Sequence, residues 1–180
     1  LHIGAPVPQK YVQLQRHFEE TQAVDEQAGW DSQDAESLAI YWNDFKIQCG
    51  RVGISGTEPV RRAAKYLSLV GTILYVPEDA ALKPFVFVDP LRLCEVFTYI
   101  SQQEGVLALA SKDDALEPSL QAGLEKLRSE GALNVAVRRE IGARLHLPDH
   151  ISQLVLSMMA RIGMLAERPS ESEGTAAGAA

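Results

Sequence analysis

The sequence predicts an α+β fold that is mostly helical, with a winged-helix-like core containing a small antiparallel β-hairpin. Apolar residues at helical spacing in the middle of the chain end at Gly71, a residue type that favours a helix C-terminus. Two short apolar runs follow, Ile73–Val76 and Phe85–Val88, and the connection between them is long for a hairpin and typical of a wing. Asp89 and Pro90 then supply an N-cap and a first helical residue, so a further helix begins there.

Two elements precede this core. Pro8 begins an amphipathic leading helix, which we assign to residues 1–21 and whose apolar face carries Tyr11 and Leu14. Residues 22–38 are polar and acidic and predict a loop.

The winged-helix-like core is assigned to residues 39–103. A short helix over residues 40–50 opens it, and Trp42, Phe45 and Cys49 mark the buried face of that helix.

Three amphipathic helices are predicted in the C-terminal helical part, residues 114–168. Pro118 begins the first of them and Gly131 ends it, whereas Asn134 caps the second. Pro148 opens the last helix. Its apolar stripe has helical spacing and contains Ile151, Leu154, Val155, Met158 and Ile162.

Two short strands and a tail complete the prediction. Val106–Leu109 and Met164–Glu167 are the candidate strands. Residues 169–180 have low sequence complexity and are expected to be disordered.

The composition bounds the class of protein. The chain has 180 residues and a formal net charge of −7, with no apolar run long enough to cross a membrane and no secretion signal, so a cytoplasmic protein is expected. It begins at Leu1, which we interpret as the start of a segment of a larger multidomain protein. Cys49 and Cys94 form no CxxC pair, and both are expected to be small buried hydrophobic residues.

No catalytic, cofactor-binding or metal site is predicted within this chain. The glycines of GRVGISGTEP are not followed by the Lys-Ser/Thr pair of a phosphate-binding loop, and an inter-helix turn is favoured for them. His146 and His150 have no companions at metal-ligand spacing. No nucleophile motif occurs, so the segment is expected not to be an enzyme.

DNA binding is the first function that a winged helix suggests. The helix after Asp89 is apolar on nearly every face and carries Arg92 as its single cation, which disfavours it as a recognition helix. A second cationic cluster, Arg61, Arg62 and Lys65, lies on the preceding helix and is typical of a solvated face. Because the whole chain is acidic, binding to nucleic acid is not expected.

Four sequence blocks, in order, resemble the COR region of Roco proteins, and in particular its N-terminal half, COR-A. They are VPQKYVQLQ at Val7–Gln15, YWNDF at Tyr41–Phe45, the block from Ala63 to Leu93 that contains AAKYLSLVGTILYV and FVFVDPLRL, and the block from Gly131 to Glu167. The chain departs from the family at Arg92, which stands where the family usually has Trp.

The resemblance implies a non-catalytic coupling module that packs on a preceding Ras-like Roc GTPase domain. GTP and magnesium are then expected only in that neighbouring domain, and the second COR half is a further partner. The parent protein is expected to act in signal transduction, with a Ser/Thr protein kinase domain and homodimerisation as further possibilities. The residues assigned to the protein interface are Phe85, Val86, Phe87, Val88, Arg92, Tyr11 and Leu14.

Within this interface the outward position is expected to be Val86. Strand residues alternate between two faces, and the larger pair, Phe85 and Phe87, is the better filling for a core. The alternatives are a winged-helix adaptor of another multidomain NTPase, such as an NLR-like protein, and the DNA-binding winged helix.

Overall fold

The computed structural model describes residues 7–28, 38–102, 117–145 and 147–166. Within these ranges the chain is mostly helical, with seven helices and one two-stranded antiparallel sheet, which confirms the predicted class. The elements in order are α1 (Gln9–Ala28), β1 (Ala39–Tyr41), α2 (Trp42–Arg51), α3 (Thr57–Leu69), β2 (Phe85–Phe87), α4 (Pro90–Ser101), α5 (Pro118–Glu130), α6 (Val135–Arg144) and α7 (Asp149–Arg161).

The small sheet is antiparallel, as predicted, but its strands pair differently from the predicted hairpin. β2 pairs along its length with β1, in the register Ala39 with Phe87 and Tyr41 with Phe85. The predicted partner run 73–76 contributes a single bridge, in which Leu74 and Phe87 exchange two backbone hydrogen bonds of 2.8 and 2.9 Å. Residues 39–41 therefore complete the sheet, and α2 begins only at Trp42.

The order of elements from α1 to β2 is that of a winged helix. Helix α1 leads into β1, helices α2 and α3 form a helix-turn-helix pair, and the bridge at Leu74 precedes the connection that we call the wing, residues 77–84. β2 then returns between β1 and Leu74. The wing prediction therefore describes the connection correctly, although β2 has β1 as its main partner.

Two hydrophobic cores lie on opposite faces of β2. The N-terminal core is formed by buried residues of α1, α2 and α3 and includes Val86 and Val88. The C-terminal core is formed by buried residues of α4 to α7 and includes Phe87, with Phe85 packed against it. Because the side chains of a strand alternate between two faces, one short strand contributes to both cores. The apolar run FVFV fits a strand that is covered on both sides.

Helix α1 is longer than the predicted leading helix. It runs to Ala28 and so includes residues 22–28, which the sequence interpretation places in the acidic loop. These residues are rich in Ala, Gln and Glu, which have favourable helix propensity whatever their charge. Within the N-terminal core, α1 buries Leu14 and Phe18.

The predicted helix boundaries are confirmed where they depend on capping residues. The Asp89 side chain accepts a 2.9 Å hydrogen bond from the Arg92 amide, with Pro90 as the first residue of α4. The Asn134 side chain caps α6 through the Val137 amide at 2.8 Å. Gly131 ends α5 at a φ of 67°, a left-handed conformation that glycine adopts without strain.

Three predictions about single residues and a short strand are wrong. Ile162 is 53% exposed, because it follows the last residue of α7 and no longer obeys the helical period. Cys94 is exposed on α4, whereas Cys49 is buried as expected. Met164 to Ala166 form no strand.

Four other predictions lie wholly or partly outside the described residues. They are the acidic loop over residues 29–37, the strand Val106–Leu109, the disordered tail 169–180 and the position of His146. Within the described ranges, no helix combines the length and the apolar character required to cross a membrane.

Candidate protein interface

Three of the four predicted interface residues on the strand are buried inside the chain itself. Val86 has no exposed surface, Phe87 and Val88 are nearly as inaccessible, and only Phe85 is half-buried. The expectation that Val86 points outward is therefore wrong. It assumed that one face of the strand meets solvent, whereas both faces of β2 are covered by hydrophobic cores.

The other three predicted residues also have structural roles. Leu14 lies in the N-terminal core with no exposed surface, and Arg92 is only 4% exposed. Tyr11 is half-buried, and its ring lies 5.7 Å from the ring of Tyr66 on α3. Arg92 is thus not available to contact a DNA phosphate, which weakens the case for α4 as a recognition helix.

Of the predicted strand residues only Phe85 is accessible, and it lies at the end of the sheet beside Tyr41, which the sequence did not identify. Tyr41 is 53% exposed, and its ring lies 5.0 Å from the ring of half-buried Phe85, its cross-strand neighbour. We call these two residues the sheet-end pair. Leu91 is exposed on the first turn of α4, close in sequence to β2. The sheet-end pair is therefore the part of the strand region that another domain can reach.

The winged-helix order makes α3, not α4, the second helix of the helix-turn-helix pair, which is the position of a recognition helix. Its exposed residues include the cations Arg61, Arg62 and Lys65, and also Glu58, which forms a 3.2 Å ion pair with Arg61. The prediction that considered the helix after Asp89 for this role therefore chose the wrong helix. The outer face of α3 carries both signs of charge.

A groove of about 480 Å³ lies between α3 and the wing. We call it the basic groove, because three of its residues are cations and one is an anion. It is lined by Arg61, Lys65, Ser68, Leu69, Tyr75, Pro77, Glu78 and Lys83. The sequence pattern indicates the cations of α3 but not Lys83, which only the fold of the wing brings to the same place.

The wing is fixed by hydrogen bonds and by one buried side chain. The Asp79 side chain accepts hydrogen bonds from the amides of Ala81 and Leu82, at 2.9 and 3.2 Å. Leu82 is buried in the C-terminal core, and the Lys83 amide donates to the Asp79 carbonyl at 2.8 Å. The groove wall opposite α3 is therefore held in place before any partner binds.

The floor of the groove is supported by a row of stacked aromatic rings. Tyr75 stacks on Trp42 with ring centroids 4.5 Å apart and planes 9° apart, and Trp42 stacks on Phe45 at 5.3 Å. Phe45 in turn stacks on Phe18 of α1 at 5.9 Å. Burial is the main cause that raises the pKa of the Tyr75 hydroxyl, while the Arg61 charge lowers it and Glu78 raises it further. Sequence spacing relates only Trp42 and Phe45, which both lie on α2, and gives no signal for the other two rings, which lie on separate segments.

Other groups that could carry chemistry have structural surroundings. Burial raises the pKa of the Cys49 thiol from 9.0 to about 12, so the thiol is protonated and unreactive at neutral pH. In the glycine-rich turn, the Gly53 carbonyl accepts a hydrogen bond from Lys10 of α1 at 2.6 Å. His150 is exposed. Among the described residues, no group of three or more His, Cys, Asp and Glu side chains could hold a metal ion.

Comparisons of this chain with protein-family models, with curated proteins and with solved structures find no match. Its function is therefore inferred from the geometry above and from the four sequence blocks.

Proposed function

We propose that this chain is a non-catalytic coupling module of a Roco-type GTPase. It packs on the preceding Ras-like Roc domain and relays the nucleotide state of that domain to the second COR half. The observation that carries the proposal is the position of β2, whose alternate residues belong to the two cores of the chain.

Each of the four blocks that resemble COR-A contributes buried residues to the two cores of the chain. The first three blocks meet in the N-terminal core, where α1, α2 and α3 pack together. Most of the fourth block lies in α6 and α7, which pack against α4 in the C-terminal core. The third block contains β2, which joins the cores. This arrangement supports the proposal, because residues that resemble one family are also the residues that assemble here.

A path from α1 to α4 supports a relay role. The Gln22 side-chain amide on α1 donates one hydrogen bond to the Thr72 carbonyl at 3.0 Å and another to the Val88 carbonyl. Val88 precedes Asp89, the N-cap of α4. In the family that this chain resembles, the first block directly follows the GTPase domain. A shift of α1 would therefore act on the end of β2 and on the start of α4.

Because Val86 is buried, we propose the sheet-end pair as the candidate contact in its place. Tyr41 is the more exposed of the two residues, and its ring packs on Phe85. A half-exposed aromatic pair is typical of interface residues, since aromatic side chains are enriched there. The GTPase domain is the partner that the resemblance implies for this surface.

Tyr41→Asp in the full-length protein tests this contact. Because a carboxylate at a packed interface costs far more than one in water, we expect GTP hydrolysis or nucleotide affinity to change several-fold. Val135→Asp is the matched control, since Val135 is also more than half exposed but lies on α6. Unchanged nucleotide kinetics in the Tyr41→Asp protein would contradict the contact.

The isolated chain is proposed to bind no guanine nucleotide, because its glycine-rich turn lacks the Lys and Ser/Thr of a phosphate-binding loop. Equilibrium titration with a labelled guanine nucleotide tests this, and saturable micromolar binding would contradict it. The sequence immediately before Leu1 separates the two NTPase hypotheses. A phosphate-binding loop within a small Ras-like domain favours the Roco-type module, whereas a larger AAA-like domain favours the NLR-like adaptor.

A further inference from the structure

We propose that the basic groove docks an acidic segment of a protein partner, one that carries carboxylates on either side of an apolar anchor. This proposal is independent of the coupling role, because it involves α3 and the wing and not the sheet-end pair.

The charges of the groove favour an anionic occupant. Arg61, Lys65 and Lys83 line it with Glu78 as the single lining carboxylate, although the formal net charge of the whole chain is −7. Arg61 also pairs with Glu58, but both side chains are more than half exposed. Exposed ion pairs of this kind contribute little, so Arg61 can exchange Glu58 for a carboxylate of a partner.

The apolar residues of the groove favour a peptide over a simple anion. Leu69 is exposed although it is a large aliphatic residue, and it lines the groove together with Pro77 and Tyr75. The volume of about 480 Å³ is that of a cleft able to enclose a few side chains. An apolar anchor on the partner would cover Leu69 while flanking carboxylates meet the cations.

The walls of the groove are organised in advance. α3 is held by the N-terminal core, Tyr75 by stacking on Trp42, and the wing by the Asp79 hydrogen bonds. Less ordering entropy is lost on binding to such a surface than to a mobile loop.

Nucleic acid fits the same surface less well. A phosphate backbone requires cations without interspersed anions, whereas Glu58 lies on α3 beside Arg61, and Glu78 and Asp79 lie on the wing. The exposed Leu69 has no role against phosphates.

Fluorescence anisotropy of the full chain with a short labelled peptide tests the proposal. The probe carries Glu residues on both sides of a central Leu-Leu pair. Two control peptides replace either all Glu by Gln or the Leu pair by Gly. We expect the probe to bind with a Kd on the order of 100 μM at low salt, and each control peptide to bind at least several-fold more weakly.

Protein variants then locate the site. Lys65→Glu combined with Lys83→Glu should weaken binding about tenfold, since two attractive charges become repulsive. Arg62→Glu combined with Lys126→Glu is the matched control, because both residues are exposed outside the groove and the change in net charge is identical. This control should stay within about twofold of the unmodified chain. Leu69→Ala should weaken binding several-fold, whereas Leu91→Ala, at an exposed position on α4, should not.

Four results would overturn the proposal. The first is that both charge-reversal pairs weaken binding of the probe equally, and the second is that the probe does not bind. The third is that the control peptide without Leu binds as tightly as the probe. The fourth is that duplex DNA, inorganic phosphate or anionic lipid vesicles bind more tightly than the probe through the same lysines. Tighter binding of any of these three ligands would show that the groove binds anions in general and is not specific for an acidic protein segment.

Discussion

Val86→Asp is the sharpest test of the strand that joins the two cores. Val86 has no exposed surface and lies in the N-terminal core, whose buried members are all apolar. Removing a fully buried Val side chain forfeits about 1.5–3 kcal/mol of hydrophobic burial. A carboxyl group without a hydrogen-bond partner adds about 1–3 kcal/mol even when it is neutral. The total is about 2.5–6 kcal/mol, which is comparable to the whole stability of many domains.

The effect should also depend on pH. Burial raises the pKa of a carboxyl group in the folded state above its unfolded value of about 3.9. The destabilisation relative to the unmodified chain is therefore smallest below about pH 4, and it grows as the pH rises through the folded-state pKa.

Urea unfolding of the isolated chain, followed by circular dichroism, measures the loss. Val135→Asp makes the same substitution at an exposed position in the first turn of α6, where a negative charge is favourable, and should change stability by less than about 0.5 kcal/mol. If the Val86→Asp protein does not fold at all, Val86→Ala supplies the value, with an expected loss of about 2–3 kcal/mol. Losses below about 0.5 kcal/mol for both Val86 variants would mean that β2 does not join the cores.

Three further predictions concern single positions. In denaturant unfolding, buried Leu154→Ala should lower the free energy of unfolding by about 2–5 kcal/mol, whereas exposed Ile162→Ala should lower it by less than about 0.5 kcal/mol. Equal losses for the two variants would contradict the exposed position of Ile162. Gly123→Ala should lower the free energy of unfolding by about 1–3 kcal/mol, because the new Cβ would lie 2.3 Å from the Asn134 side chain that caps α6. The control Gly50→Ala in α2 places a Cβ with no atom within 4 Å and should be neutral or stabilising. Cys94 should react with a thiol reagent at pH 8, while Cys49 should react only on unfolding. Because burial raises the pKa of the Cys49 thiol to about 12, the stability contributed by the neutral thiol is complete below pH 9 and is lost as the pH rises toward 12. Cys49→Ala should therefore flatten the decline in stability at alkaline pH. Rapid native labelling of both thiols would show that Cys49 is accessible.

Local signals predicted much of the fold. Asp89 and Asn134 cap helices, and Gly131 ends one, because each of these roles depends on residues a few positions apart. The apolar stripe of α3 is buried as its spacing predicts, since Val60, Ala63, Ala64 and Leu67 all lie in the N-terminal core.

The rest depended on contacts between distant segments. The pairing of β2 with β1 joins residues 39–41 to residues 85–87, and no local pattern distinguishes that pairing from a hairpin. The error at Val86 has the same origin, because alternation identifies two faces but does not say that both are covered. The basic groove was missed because Lys83 approaches Lys65 only through the folded wing.

Hydrogen exchange in a protein that contains this chain and the proposed GTPase domain tests the proposed coupling role most directly. The protein is loaded with GDP or with a non-hydrolysable GTP analogue, and peptides covering α1, β2 and α4 are compared. If β2 relays the nucleotide state, the protection of backbone amides from exchange should differ between the two nucleotide states in α1 and also in residues 85–101, which include the strand that both cores share. Identical exchange of residues 85–101 in both nucleotide states would contradict the coupling role of this chain.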